Sequence, residues 1–251
     1  MNLSVNLNKI ALLRNSRGSD SPSLENYANQ VIALGAQGIT LHPRPDHRHA
    51  TSQDAISVAS ICKDHSLEFN LEGNPFSDAK DSFLGFLGIC AASEPHQVTL
   101  VPDNDTQITS DSGWPIGYKS KELKAFLSSH EIKNSRTSLF IDANVEALEF
   151  AAINDFDRVE IYTGPFAIAC SGHDPSLVAL ESSRISAVIK RAGDLGIGIN
   201  AGHDLNLDNI PLLKLCGFID EVSIGHAIIS DSLKYGFKDT IMQYLNITRE
   251  I

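Results

Sequence analysis

Gly38-Ile39-Thr40-Leu41-His42-Pro43-Arg44-Pro45-Asp46-His47-Arg48-His49 starts as one kind of chain and ends as another. Gly38 to Leu41 is short, apolar and β-branched, which reads as a strand. From His42 onward two prolines remove two backbone donors and forbid a regular element. Three histidines, two arginines and an aspartate then crowd one loop. Such a loop costs conformational entropy and packs nothing apolar, so its expected use is binding or chemistry. The alternative is a solvated, charge-rich connection.

Working outward, the same unit recurs: apolar strand, polar strand end, helix. Strands are expected at 3–7, 38–42, 67–71, 97–101, 137–141, 158–161, 198–200 and 219–224. Helical spacing covers 23–34, ending at Gly35, then 51–63, 76–90, 120–130, 145–153, 175–195 and 209–215. The stretch from Ala227 to about 245 is mostly helical, and Arg14 to Gly18 reads as loop. Thr51 with Asp54 three residues on is a near miss to a capping box. A long loop, 103–117, carries Thr106, Thr109 and the only tryptophan, Trp114.

Eight strands alternating with about eight helices imply parallel pairing. At 251 residues that is the size of a (β/α)₈ barrel with a few extra helices, expected as one domain over 1–251. An open doubly wound sheet would want GxGxxG after the first strand, and Asn6-Leu7-Asn8-Lys9 is not that.

Composition bounds the function. The formal net charge is -11 and the pI about 5.2, which argues against nucleic-acid or anionic-membrane partners. Cys62, Cys90, Cys170 and Cys216 are widely spaced with no CxxC, which fits a reduced cytoplasmic chain. Nothing near Met1 resembles a signal peptide, and the longest apolar run, 83–92, is too short to span a membrane.

Chemistry gathers where strands end: Asn6 and Asn8, His42 and Arg44, Glu72, Thr109, Asp142, Glu160 and Thr163, Asn200 and His203, Gly225 and His226. In a barrel those ends share one mouth. Glu72 against apolar walls should have a raised pKa and suits a general base, or it pairs with Arg44 or Arg48. His42 and His203 suit separate base and acid roles, or are satisfied by neighbouring carbonyls. A metal on His42, His47 and His49 would make a metal-dependent aldolase or hydrolase, but Arg44 and Arg48 are interleaved and would repel a dication. Phosphate suits the site better. Ala201-Gly202-His203 and Ile224-Gly225-His226-Ala227 follow the last two strands, where barrels hold phosphoryl groups on backbone N–H groups. Arg17 and Arg44 offer a second anion site. A catalytically silent phosphate-binding barrel remains the alternative from another class.

Ten stretches in order resemble the pyridoxine 5'-phosphate synthase family of vitamin B6 biosynthesis. They include Val5-Asn6-Leu7-Asn8-Lys9, Leu13-Arg14-Asn15-Ser16-Arg17-Gly18, Gly35 to Arg44, Asp46-His47-Arg48-His49, Asn70-Leu71-Glu72, Glu160-Ile161-Tyr162-Thr163-Gly164, Asn200-Ala201-Gly202-His203 and Ile224-Gly225-His226-Ala227. The resemblance implies condensation of 3-amino-2-oxopropyl phosphate with 1-deoxy-D-xylulose 5-phosphate to pyridoxine 5'-phosphate, inorganic phosphate and water. It implies no metal or organic cofactor, and an octamer built from dimers. His42 and Glu72 would be proton acceptors and His203 a proton donor. Asn6, Arg17, Asp204 through its backbone, Gly225 and His226 would hold the aminoketone phosphate. Asn8, Lys9, Arg44, His49 and Thr109 would hold the deoxyxylulose phosphate. Many members carry Asp-His where this chain has Asn8-Lys9, and Asp204 often aligns with glycine.

Overall fold

The computed structural model describes residues 1–103, 107 and 109–249; Thr106 and the last two positions of the expected domain lie outside them. Eight strands close into a barrel in sequence order: β1 (Asn2–Asn6), β2 (Gly38–Leu41), β3 (Glu68–Gly73), β4 (Gln97–Leu100), β5 (Arg136–Ile141), β6 (Arg158–Tyr162), β7 (Gly198–Gly202) and β8 (Glu221–Ile224). Every neighbouring pair is parallel, and β1 pairs with β8 through Ser4 opposite Ser223 to shut the ring. The described helices are α1 (Asn8–Asn15), α2 (Leu24–Leu34), α3 (Ser52–Asp64), α4 (Phe86–Ser93), α5 (Ser120–Leu127), α6 (Val145–Ile153), α7 (Gly164–Ser171), α8 (Pro175–Leu195), α9 (Ile210–Lys214), α10 (His226–Tyr235) and α11 (Phe237–Arg249), with a 3₁₀ turn at His130–Ile132.

Successive side chains of a strand face opposite ways, so each strand has two stripes. One stripe is apolar and meets the helices: Leu3 and Val5, Ile39 and Leu41, Phe69 and Leu71, Val98 and Leu100, Leu139 and Ile141, Val159 and Ile161, Val222 and Ile224 are all buried in the main hydrophobic core. The other stripe faces the barrel axis and is largely polar. Ser4 Oγ lies 2.7 Å from Thr40 Oγ1. Asn70 donates to Thr40 Oγ1 and accepts from Thr99 Oγ1 at 2.9 Å. Lower in the barrel Arg136 pairs with Glu68 and donates to Gln97, while Arg158 donates to Asn200. Burial inside the ring requires such groups to satisfy one another. The same parity lifts Glu68, Asn70 and Glu72 in turn toward the mouth, so Glu72 sits within β3 rather than in the loop after it.

Several elements differ from the sequence reading. Residues 8–15 are helical although no cap side chain announces α1, so Arg14 and Asn15 belong to that helix and not to the loop expected from Arg14. The segment expected as helix from 76 begins only at Phe86. Before it, Lys80 and Phe83 exchange two backbone hydrogen bonds of 2.9 Å, and Gly85 caps α4 with φ 75 where a Cβ would press on the Ala79 backbone. The connection after β6 holds α7, whose start carries Pro165, a position proline favours. The C-terminal helical stretch is two helices separated by Gly236, at φ 80. The capping box at Thr51 is complete: Asp54 N donates to Thr51 Oγ1 at 3.2 Å, and Thr51 N donates to Asp54 Oδ2 at 2.8 Å.

Candidate active site

The C-terminal ends of the strands surround a cavity of about 410 Å³. Asn6, Asn8, Lys9, His42, Arg44, His49, Glu72, Thr109, His203, Asp204, Gly225 and His226 all line it. Arg17 does not: it is exposed in the turn after α1. Arg48, Ser110, Glu160 and Ser223 line the cavity without having been assigned a role in it. For Glu160 the signal was present, since it alternates with Val159 and Ile161 on the axial stripe of β6.

His42 is the centre of the arrangement. It leaves β2 with its backbone N–H held by Asn8 Oδ1 at 3.0 Å, and Asn8 N is in turn held by Asn6 Oδ1 at 3.0 Å. Its Nδ1 lies 3.8 Å from Glu72 Oε2 and its Nε2 lies 3.8 Å from Asp103 Oδ2. Burial holds the His42 imidazole well below its ordinary pKa, and the charges of Arg44, His203 and Arg48 push the same way. Neutral at pH 7, it has a lone pair to offer. His49, 6.0 Å away between ring centroids, is brought down to about 2 by burial and by His42, Arg44 and Lys9.

The floor is acidic but not charged in the ordinary way. Burial, then Asp103 and Glu221, raise Glu72 to about 8, against a hydrogen bond from Ser223. Glu160 is raised well above the carboxylate range by burial and by Glu72. Two carboxyl groups in one low-dielectric space resist ionising together. Among the described residues Glu160 Oε2 has no hydrogen-bond partner. A Cβ on Gly202 would collide with the Glu160 carboxylate, so glycine there leaves room for it.

His203 stands at the rim between Phe140 and Tyr162, with ring centroids 5.0 and 5.4 Å away. Its backbone, and that of Asp204, has positive φ of 80 and 55. Thr163 Oγ1 donates to the His203 carbonyl at 2.6 Å and holds the turn. Burial lowers the His203 pKa while Asp204 and Asp103 oppose it. Non-glycine residues in this region of backbone space store strain and cluster at functional sites.

Two cationic edges remain. On one, Lys9, Arg44 and Arg48 face the cavity; Arg44 pairs with Asp103 and donates to the Gln107 carbonyl at 2.8 Å. On the other, α10 begins at His226 directly after β8, aiming its first N–H groups at the mouth. Gly225 there lies against Asn6, which a Cβ would meet at 3.1 Å. The histidine run does not converge: His47 Nε2 lies 3.1 Å from Ser82 Oγ, away from His42 and His49. Among the described residues no group of three or more His, Cys, Asp or Glu is arranged to hold a metal.

A family model described as pyridoxal phosphate biosynthesis protein PdxJ matches residues 3–250. The chain is 44% identical over 249 residues to the pyridoxine 5'-phosphate synthase of Xanthomonas oryzae pv. oryzae, covering 98% of this chain and 96% of that protein. It is 43% identical over 246 residues to the protein of the same name from Xylella fastidiosa, covering 98% and 94%. Among solved structures, the tryptophan synthase α-subunit of Pyrococcus furiosus superposes with a TM-score of 0.63 at 14% identity, covering 98% of this chain and 97% of that one. Thiamine phosphate pyrophosphorylase from the same organism gives 0.61 at 12% identity, covering 98% and 93%. At that identity the likeness speaks for the barrel alone.

Proposed function

We infer the reaction from one premise: this chain belongs to the pyridoxal phosphate biosynthesis protein PdxJ family. Its activity is that of a pyridoxine 5'-phosphate synthase, condensing 3-amino-2-oxopropyl phosphate with 1-deoxy-D-xylulose 5-phosphate to pyridoxine 5'-phosphate, inorganic phosphate and water. The residue roles are our reading. Amine attack on a ketone, loss of water, elimination of phosphate and ring closure each move a proton. Neutral His42 takes protons beside a carbonyl. Glu72, with its pKa near 8, exchanges protons close to neutral pH in either direction and acts as the second acceptor. His203 delivers its ring proton to departing oxygen. The α10 N-terminus with Asn6, Gly225, His226 and the Asp204 backbone receives the aminoketone phosphate. Asn8, Lys9, Arg44, His49 and Thr109 receive the deoxyxylulose phosphate. Arg17 is assigned to the first phosphate by resemblance alone, because it stands outside the cavity.

The observation that carries this reading is that His42 and Glu72 approach to 3.8 Å in a cavity that His203 also lines. Purified protein given both phosphates should release inorganic phosphate in step with product absorbance. No turnover with both substrates present would sink it. We propose with it that residues 1–251 act as one barrel domain, in the cytoplasm, in an octamer that sedimentation velocity would register. Among the described residues no helix is long and apolar enough to cross a membrane.

A further inference from the structure

Asp103, three residues after β4 ends, approaches both the cationic edge and the base. Its side chain is 5% exposed. Its Oδ2 accepts from Arg44 Nη2 and from Ser110 Oγ, the latter at 2.6 Å. The same oxygen lies 3.8 Å from His42 Nε2. Among the described residues its Oδ1 is buried with no hydrogen-bond partner, as is Arg44 Nε. The Asp103 backbone is anchored separately, its carbonyl accepting from Asn74 Nδ2 at 2.7 Å. So the backbone at Asp103 is held by a contact separate from those of its carboxylate.

An unpaired buried carboxylate oxygen and an unpaired buried guanidinium N–H are costly, which favours any arrangement that pairs them. We propose that Asp103 is a positioning residue that trades partners: it holds Arg44 until a substrate phosphate claims the guanidinium, then turns to the His42 imidazole. This rests on the proposed roles of Arg44 as phosphate ligand and His42 as base. The reason is charge. A phosphate on the open Arg44 edge places two anions on one guanidinium, and their repulsion favours the arrangement in which Asp103 faces another donor. His42 Nε2, 3.8 Å away, is the next nitrogen in reach. The other charged or titratable groups around His42 are Glu72 on β3, Arg44, Asp46, Arg48 and His49 in the loop after β2, and His203 after β7. Glu72 stands on the Nδ1 side, which leaves Nε2 to Asp103. The exchange would make His42 a stronger base only once phosphate has arrived, tying proton abstraction to substrate occupancy.

The probe is inorganic phosphate on the intact protein, with the His42 imidazole followed by NMR titration. In the unaltered protein saturating phosphate should raise the His42 pKa; in Asp103→Asn the rise should shrink to less than half. An equal rise in both proteins overturns the exchange, because phosphate alone then accounts for it. Asp103→Asn should also lower the inhibition constant of phosphate by about threefold to tenfold, since Arg44 no longer has a competing carboxylate, and lower kcat by about tenfold. Phosphate bound more weakly by Asp103→Asn would mean that Asp103 merely orders Arg44 for its ligand, and the proposal fails. Should Asp103→Asn not fold, Asp103→Ser keeps a small polar group and answers the same titration. Failure of the broader reading looks different: the unaltered protein would not turn over the two substrates, whatever the His42 titration did.

Discussion

At the scale of single residues, the site depends on groups held away from their ordinary ionisation. Glu72→Gln removes the titrating carboxyl and keeps the shape. We expect kcat to fall by about 10²–10⁴ with KM little changed, the loss typical of a missing general base, measured at steady state with both substrates. The pH dependence has a definite sign. Only ionised Glu72 accepts a proton, so kcat should climb with pH through about 8. A profile flat from pH 7 to 9 would remove Glu72 from that role. The backbone at Asp204 gives a second test. At φ 55 glycine fits without strain and a β-branched residue does not. Asp204→Gly should be nearly neutral, whereas Asp204→Val should cost about 1–2 kcal/mol by denaturant unfolding. Both histidines and Glu72 could be picked out by residue type and place in the chain. Asp103 could not, because the role proposed for it rests on a 3.8 Å approach to a residue 61 positions earlier.

At the scale of elements, helix ends show what local sequence can say. The Thr51–Asp54 reciprocal bonds at the start of α3 satisfy orphan N–H groups, and Thr51→Ala should cost about 1 kcal/mol in a chemical denaturation curve. A change within experimental error would show that the Arg14–Asp54 ion pair alone fixes that end. Helix α8 has the expected extent, 175–195, and Asp174, Pro175 and Gly196 mark its two ends. Helix α1 has no such marks. It follows β1 without a capping side chain, and its stability comes from burying Ile10 and Ala11 against the barrel. The segment before α4 erred the other way: its apolar residues suggested helix, while Gly85 and the Lys80–Phe83 pairing hold it as a turn. Periodicity describes which side chains are buried, and a turn that buries Phe83 and half-buries Phe76 satisfies it as well as a helix does.

At the scale of the molecule, the barrel interior stores buried acid. Glu221, 2% exposed near the far end of the axis, is raised from 4.5 to about 8, chiefly by burial and then by Glu68. A carboxyl with a raised folded pKa stabilises most when protonated; that contribution is complete below its unfolded pKa and disappears as pH rises through about 8. Thermal unfolding should therefore show a melting temperature that declines between about pH 4.5 and 8.5, partly from Glu221. Glu221→Gln should flatten that decline and melt higher than the unaltered protein at pH 9. A steeper decline in the variant would mean that Arg136 and Arg158 need the charge more than burial penalises it.

The alternation of strand and helix, the order of the eight strands and the gathering of polar residues at strand ends are properties of the chain read alone. They follow from periods of about two and 3.6 residues, which are local and survive in the string of letters. Closure of the ring is not local. Only the pairing of β1 with β8 brings Asn6 beside Gly225, and only the shared axis makes Glu72, Glu160 and Glu221 titrate as neighbours. Burial and through-space charge depend on distances between residues far apart in sequence, and those distances exist only once the barrel has closed.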